Sequence, residues 1–268
     1  AASDVYKRQF PESDESGVVI DAFDRGSYIR VMHDRRTVVG YSTRNSGGVP
    51  ENFKNWFIVR FDRKIRDFQI YDGTKPVEGE QLVGEHALVR VGFETRRGEQ
   101  VTVRAASSFI SQMQAVQNLE ELGKDDFETV KDKAQARWDE VLGKIEVTGG
   151  TTDQYRTFYS CLYRSTLFPR KFYEIDKNGN ILHYSPYNGE VLPGYMYTDT
   201  GFWDTFRSLF PLLNLVYPSV NAEIQAGLAN AYRESGFLPE WASPGHRGCM
   251  VGNNSASVVS DAILKGCS

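Results

Sequence analysis

Cysteine, basic runs, long apolar stretches and familiar catalytic signatures are all scarce in this chain of 268 residues. Its 3 cysteines, Cys161, Cys249 and Cys267, form an odd, sparse set without metal-ligand spacing, which excludes a disulfide framework and a zinc site. Lys and Arg total 31 against 35 Asp and Glu and are scattered, so the net charge of -4 leaves no stripe for phosphate backbones. No nucleic-acid partner is expected. No window nears the roughly 20 apolar residues that cross a bilayer, and no charged n-region with an apolar h-region opens the chain, so no transmembrane segment is expected. There is no G-x-S-x-G elbow, Walker loop, dinucleotide fingerprint or Cys with a matching His. "DKNGN", residues 176–180, lacks the acid a calcium loop needs at its twelfth position and reads as a turn. His33, His86, His183 and His246 are isolated in sequence and read as structural, and no metal ligand set is expected in the chain.

What is present is a globular composition, 40% hydrophobic and 25% charged, with 14 Tyr and 16 Phe that hint at stacking surfaces. The opening "AASDVYKRQ" lacks Met, so residues 1–9 read as a non-native extension outside the fold, and the close "ILKGCS" reads as a helix cut short. Residues 10–123 alternate in short runs such as "SYIRVM", "WFIVRFD" and "ALVRVGFET", the pattern of an antiparallel β-sandwich. Residues 124–150 read as a linker helix and a return strand, with Asp125 and Glu128 as a capping box and Gly143 at the end. From 151 to 268 helices dominate: one over about 153–168 stopped by Pro169, a long excursion turning at Asn178-Gly179, a Trp-Asp helix, one over about 220–235 capped by Gly236, and one over 255–265. That rhythm of helix, long loop and helix is the rhythm of a helical toroid.

Two stretches carry candidate chemistry. In "TDTGFWDTFRSLFP", residues 198–211, Thr198, Asp199 or Thr200 can cap a helix whose first turn holds Trp203 and Asp204, with Arg207 placed to clamp the carboxylate. An indole beside a fixed carboxylate suits a sugar, whose C–H bonds pack on the ring while its hydroxyls donate to oxygen. The competing reading is an Asp–Arg pair beside a core Trp. "FLPEWASPGHRGCMVGNN" adds Glu240 and Trp241, held by Pro239 and Pro244; a loop packed under a neighbouring domain would look similar.

These stretches together, with "VVGYS", "SFISQMQAVQNLEEL", "ARWDEVLGKIEV" and "FYSCLYRSTLFP" in order, resemble glycoside hydrolase family 92, the calcium-dependent exo-acting α-mannosidases, over residues 17–266. The resemblance implies a β-sandwich, a linker helix and the first helices of an (α/α)6 toroid. It implies removal of terminal α-linked mannose from glycans by an inverting mechanism, with an acid and a base about 6.5 to 9.5 Å apart, and calcium as cofactor. It implies that Asp204 binds sugar hydroxyls, Trp203 shapes the pocket, Arg207 orients Asp204, and the loop with Glu240, Trp241, Cys249, Met250 and Asn253 lines the same subsite. No catalytic residue is assigned within the chain: nothing like the family's acid, base and calcium-ligand motifs occurs before Ser268, so the chain reads as an inactive fragment of a periplasmic, cell-surface or secreted mannosidase. A fragment of a toroid would leave apolar faces such as Phe206, Phe210 and Leu213 wet. The other readings are a non-catalytic carbohydrate-binding module and a toroidal glycosidase of other sugar specificity.

Overall fold

Strict apolar alternation makes the strands of the first half. In the computed structural model, which describes residues 2–267, they are β1 (Ala2–Gln9), β2 (Ser13–Asp21), β3 (Ser27–Val31), β4 (Thr37–Ser42), β5 (Asn55–Phe61), β6 (Asp67–Asp72), β7 (Lys75–Val77), β8 (Gln81–Gly84), β9 (Ala87–Thr95) and β10 (Gln100–Ser108). They pair in an antiparallel six-stranded sheet, β1-β10-β5-β4-β3-β8, and a four-stranded one, β2-β9-β6-β7. Ile29, Val38 and Phe61 of the first sheet meet Ile70, Val89, Val91 and Phe93 of the second in one core, where the Phe61 and Phe93 rings lie 5.1 Å apart. Each such side chain stabilises the fold by about 1.5–3 kcal/mol through burial. This is the sandwich the alternation predicts.

The expectation that residues 1–9 lie outside the fold does not hold for Ala2–Gln9. They pair with β10 from Ala2↔Ser107 to Gln9↔Gln100, and Val5 is buried in a second core with Val39, Ile58 and Ala106. That core is closed by α1 (Gln112–Glu120), whose Ser111 cap accepts from the Gln114 N–H and whose Ala115 and Leu119 face the sheet. The chain divides into two units, one comprising the residues up to Ser46 with Asn52–Lys133, the other Gly47–Glu51 with the residues from Ala134 onward.

The linker helix is α2 (Phe127–Leu142). Its cap is Asp126, not Asp125: Asp126 Oδ1 accepts from the Thr129 N–H at 2.8 Å, while Asp125 pairs with Lys133. Glu128 binds Lys7 and Lys131 instead of closing a capping box.

In the second unit α3 (Thr152–Ser165) starts at a capping box of Thr151 and Gln154. The long excursion is ordered as β11 (Arg170–Lys171), β12 (Glu174–Ile175), β13 (Ile181–Tyr184), β14 (Val191–Pro193) and β15 (Tyr197–Thr198), with Gly179 at φ 84° in the Asn178-Gly179 turn. After β16 (Thr200–Gly201) the Trp-Asp helix comes in two pieces, α4 (Phe202–Thr205) and α5 (Leu209–Val216). Pro211 explains the break: in one continuous helix its ring would clash with the carbonyl four residues earlier, at Arg207, whereas in the first turn of α5 it is tolerated. Then come α6 (Pro218–Ser235), with proline first and Gly236 as left-handed cap, β17 (Trp241–Ala242) and α7 (Asn254–Leu264).

Phe202, Phe210, Leu213, Tyr217, Ile224, Leu228 and Val258 make the core of this unit. Contrary to the expectation that they would be left wet, Phe210 and Leu213 are buried and Phe206 is half-buried; the apolar side chains that do face solvent include Leu215 and Leu264. A chain of side-chain bonds joins three helices, from Gln225 to Asn221 to Asn214 to Asp261. His183, isolated in sequence, is fully buried with Nε2 2.9 Å from Glu234 and Nδ1 2.8 Å from the Gly194 carbonyl.

Candidate functional site

The site lies where two sequence-distant motifs are joined by main chain. Thr200 and Gly201 pair with Ala242 and Trp241 as β16 and β17, and the Phe202 N–H donates to the Glu240 carbonyl at 3.1 Å. The first turn of α4 thus sits against the Glu240-Trp241 loop. Phe202 anchors that turn, stacked on Phe210 with centroids 5.7 Å apart, so Trp203 and Asp204 face outward.

Gly201 is the point of convergence. A Cβ there would stand 2.9 Å from Asp204 Oδ2, 3.5 Å from Trp241 and 3.7 Å from the Met250 methyl. Asp204, Trp241 and Met250 therefore share one small volume, and the absence of a side chain at 201 leaves room for the carboxylate. Asp204 is exposed and makes no hydrogen bond or ion pair among the described residues, so its oxygens are open to a donor.

Two expectations for this turn are not met. The cap of α4 is Gly201, with no side-chain hydrogen bond, because Thr198, Asp199 and Thr200 are engaged elsewhere or sit wrongly. Thr198 Oγ1 donates to the Pro244 carbonyl, Asp199 is held by Arg170 Nε at 2.9 Å and Ser243 Oγ at 2.7 Å, and Thr200 Oγ1 is buried without a partner among the described residues. Nor does Arg207 clamp Asp204: its guanidinium lies over the rings of Trp203 and Phe206, 5.2 and 5.1 Å from their centroids. Two aromatic faces i-4 and i-1 outcompete an exposed carboxylate whose pairing with Arg is worth little in water. Arg207 therefore fixes the Trp203 plane.

The remaining predicted residues are spread along the loop. Glu240 is half-buried, with Oε2 hidden from solvent and unpartnered among the described residues. Cys249 and Asn253 are exposed, the latter beginning α7 without a side-chain cap. Met250 is brought to Gly201, while Cys249 and Asn253 are not among its nearest neighbours in the described residues.

The loop is rigidly tied. Arg247 donates its N–H to the Trp241 carbonyl and Nε to that of Ser243, both at 2.8 Å. A side chain at Gly245 would strike the carbonyls of Gly48 and Pro186, so only glycine fits. His246 Nε2 contacts Ser235 Oγ at 3.0 Å, its ring packs on Tyr187, and burial lowers its pKa, which keeps it a neutral brace. Sequence reasoning offered Asp199 as a cap and missed its pairing with Arg170. The left-handed φ of 58° at Asp199, a conformation Asp tolerates better than most residues, turns its carboxylate back on the loop and gives no periodic signal.

Among the described residues no group of three or more His, Cys, Asp or Glu side chains is placed to hold a metal ion.

Residues 3–108 match the glycosyl hydrolase family 92 N-terminal domain, and residues 114–268 match the glycosyl hydrolase family 92 catalytic domain. Among solved structures, a family 92 inverting mannosidase from Bacteroides thetaiotaomicron is 46% identical with a TM-score of 0.97, over 100% of this chain and 36% of that one. An α-mannosidase of the same family and organism, solved with mannoimidazole, is 29% identical with a TM-score of 0.90, over 100% of this chain and 37% of that one. An uncharacterized secreted glycosidase from Arthroderma benhamiae is 28% identical over 171 residues, 62% of this chain and 18% of that protein. The chain thus spans well under half the length of these relatives and resembles them in both of its units. It belongs to glycosyl hydrolase family 92.

Proposed function

We propose that the protein to which this chain contributes removes terminal α-linked mannose from glycans with inversion, and that the Asp204, Trp241 and Met250 corner with Trp203 holds the terminal sugar. The observation that carries this reading is the open carboxylate of Asp204, which shares the space beside Gly201 with the Trp241 indole and directly follows Trp203, whose ring Arg207 covers. A carboxylate without internal partners accepts hydroxyl donors, and an indole face packs on the C–H face of a pyranose. The loop of Glu240, Cys249 and Asn253 lines the same subsite in this proposal.

The two carboxyl groups of an inverting hydrolase, acid for the leaving oxygen and base for water, are proposed to lie outside this chain, as are the ligands of the calcium the family resemblance implies. Export to the periplasm, the cell surface or the medium is proposed as well, in keeping with the Arthroderma relative described as secreted; no helix of the described residues is long and apolar enough to cross a membrane.

The test is hydrolysis of an aryl α-mannoside. A longer protein containing this sequence should be active, residues 1–268 alone inactive, and Asp204→Asn in the longer protein should lower kcat/KM by roughly 10- to 100-fold, the worth of a charge-assisted hydrogen bond. Activity of the 268-residue chain by itself, or an unchanged Asp204→Asn enzyme, refutes the assignment.

A further inference from the structure

We propose that the first unit carries a second binding site, for a phosphate or sulfate monoester, on the outer face of the six-stranded sheet around Arg36, Arg60 and Arg104. The three side chains line a cleft of about 470 Å³, within the range of small-molecule sites and larger than a bare oxyanion needs.

The sheet itself concentrates the charge. Arg60 and Arg104 stand directly opposite one another between β5 and β10, where like charges repel, and Arg36 directly precedes Thr37, the residue paired with Arg60 on the other side. Arg104 donates to the carbonyls of Gly123 and Asp125 at 2.6 and 2.7 Å, and Arg36 to that of Asp62 at 3.2 Å. Those acceptors are neutral: they hold the guanidiniums in place without cancelling their charge. Arg60 makes no hydrogen bond or ion pair among the described residues, and its charge is partly offset by its Coulombic attraction to the Asp34 carboxylate. A guanidinium fork matches the oxygens of a phosphate or sulfate, and here Arg36 and Arg104 are held in place, with N–H groups to spare, beside the unpaired Arg60.

The acids nearby are mostly committed. Asp62 accepts from the Thr102 N–H at 3.0 Å and pairs with Arg63, and Asp34 is bound to the N–H groups of Arg36 and Thr37 and to the Thr37 hydroxyl. Glu120, at the exposed end of α1, also borders the cleft and opposes an anion. Buried Leu119 gives part of the wall apolar character, which suits the organic half of an ester rather than a free ion.

Isothermal titration at low salt tests this with glucose 6-phosphate, glucose 6-sulfate, inorganic phosphate and glucose. Both esters should bind saturably and more tightly than inorganic phosphate, glucose should not bind, and added salt should weaken the esters. Arg60→Gln should weaken them about tenfold, the worth of one charge-assisted contact, Arg104→Lys should also weaken them by losing the fork, and Glu120→Gln should tighten them. The exposed position of Arg60 makes its variant foldable, which circular dichroism checks. Absence of ester binding, equal binding of glucose, or an unchanged Arg60→Gln protein overturns the site; inorganic phosphate binding as tightly as the esters overturns the ester assignment. None of these outcomes depends on mannosidase activity.

Discussion

Gly201→Ala separates the shape of the sugar corner from the stability of the fold. The backbone at 201, φ -103° and ψ 120°, is extended and open to any L-residue, so alanine adds no backbone strain. Its methyl would make ordinary contacts with Trp241 and Met250 but would lie 2.9 Å from Asp204 Oδ2, which has to retreat by about half an ångström to reach normal contact. Because that oxygen ends a flexible, exposed side chain, the retreat costs little, and reduced freedom in the unfolded chain adds about 0.4–1 kcal/mol in favour of alanine. Thermal melting should therefore show Tm unchanged or slightly raised. The displaced carboxylate, however, meets the sugar hydroxyls badly, and loss of about 1.5–3 kcal/mol of charge-assisted bonding predicts a fall in kcat/KM of roughly 10- to 150-fold in the complete enzyme. Since the substitution acts through Asp204, a cycle with Asp204→Asn should be strongly non-additive. Wild-type kcat/KM in Gly201→Ala, or additive losses in the double variant, would refute this account of the corner.

Other outcomes follow from the same geometry. Phe202→Ala removes the ring stacked on Phe210 and should cost about 3–5 kcal/mol in urea unfolding. Glu234→Ala strands His183 in a fully buried place, and breaking such a pair should cost about 3–5 kcal/mol, with Glu234→Gln retaining part of it by keeping a hydrogen bond. Hydrogen bonds from Thr129, side chain first and then N–H, hold the Asp126 carboxyl below its usual 3.8. Its contribution to the α2 start is present above pH 3.8 and lost as pH falls through the lower folded value, so acid titration followed by circular dichroism should show a shallower acid limb for Asp126→Asn, which still caps.

The sequence by itself determined the class of each half. Alternation in "SYIRVM" and "ALVRVGFET" sets one face of each strand inward whatever the partner, and the spacing of Pro218 and Gly236 fixes α6, because these signals act within a few residues. Only the family resemblance, and no local pattern, grouped Trp203, Asp204, Glu240 and Trp241 in one subsite. Only the tertiary structure decided how. The pairing of Gly201 with Trp241 spans 40 residues and depends on register, which no local pattern carries. Arg207 chose two rings over the nearby carboxylate because their faces were available at the same helical spacing and Asp204 lay in water. Asp125 lost the cap to Asp126 once Lys133 stood within reach, His183 found Glu234 51 residues away, and residues 2–9 became a strand because β10 offered an edge. Local propensity states what a segment is able to form; which of several adequate hydrogen-bond partners it takes depends on which of them the rest of the chain brings within about 3 Å.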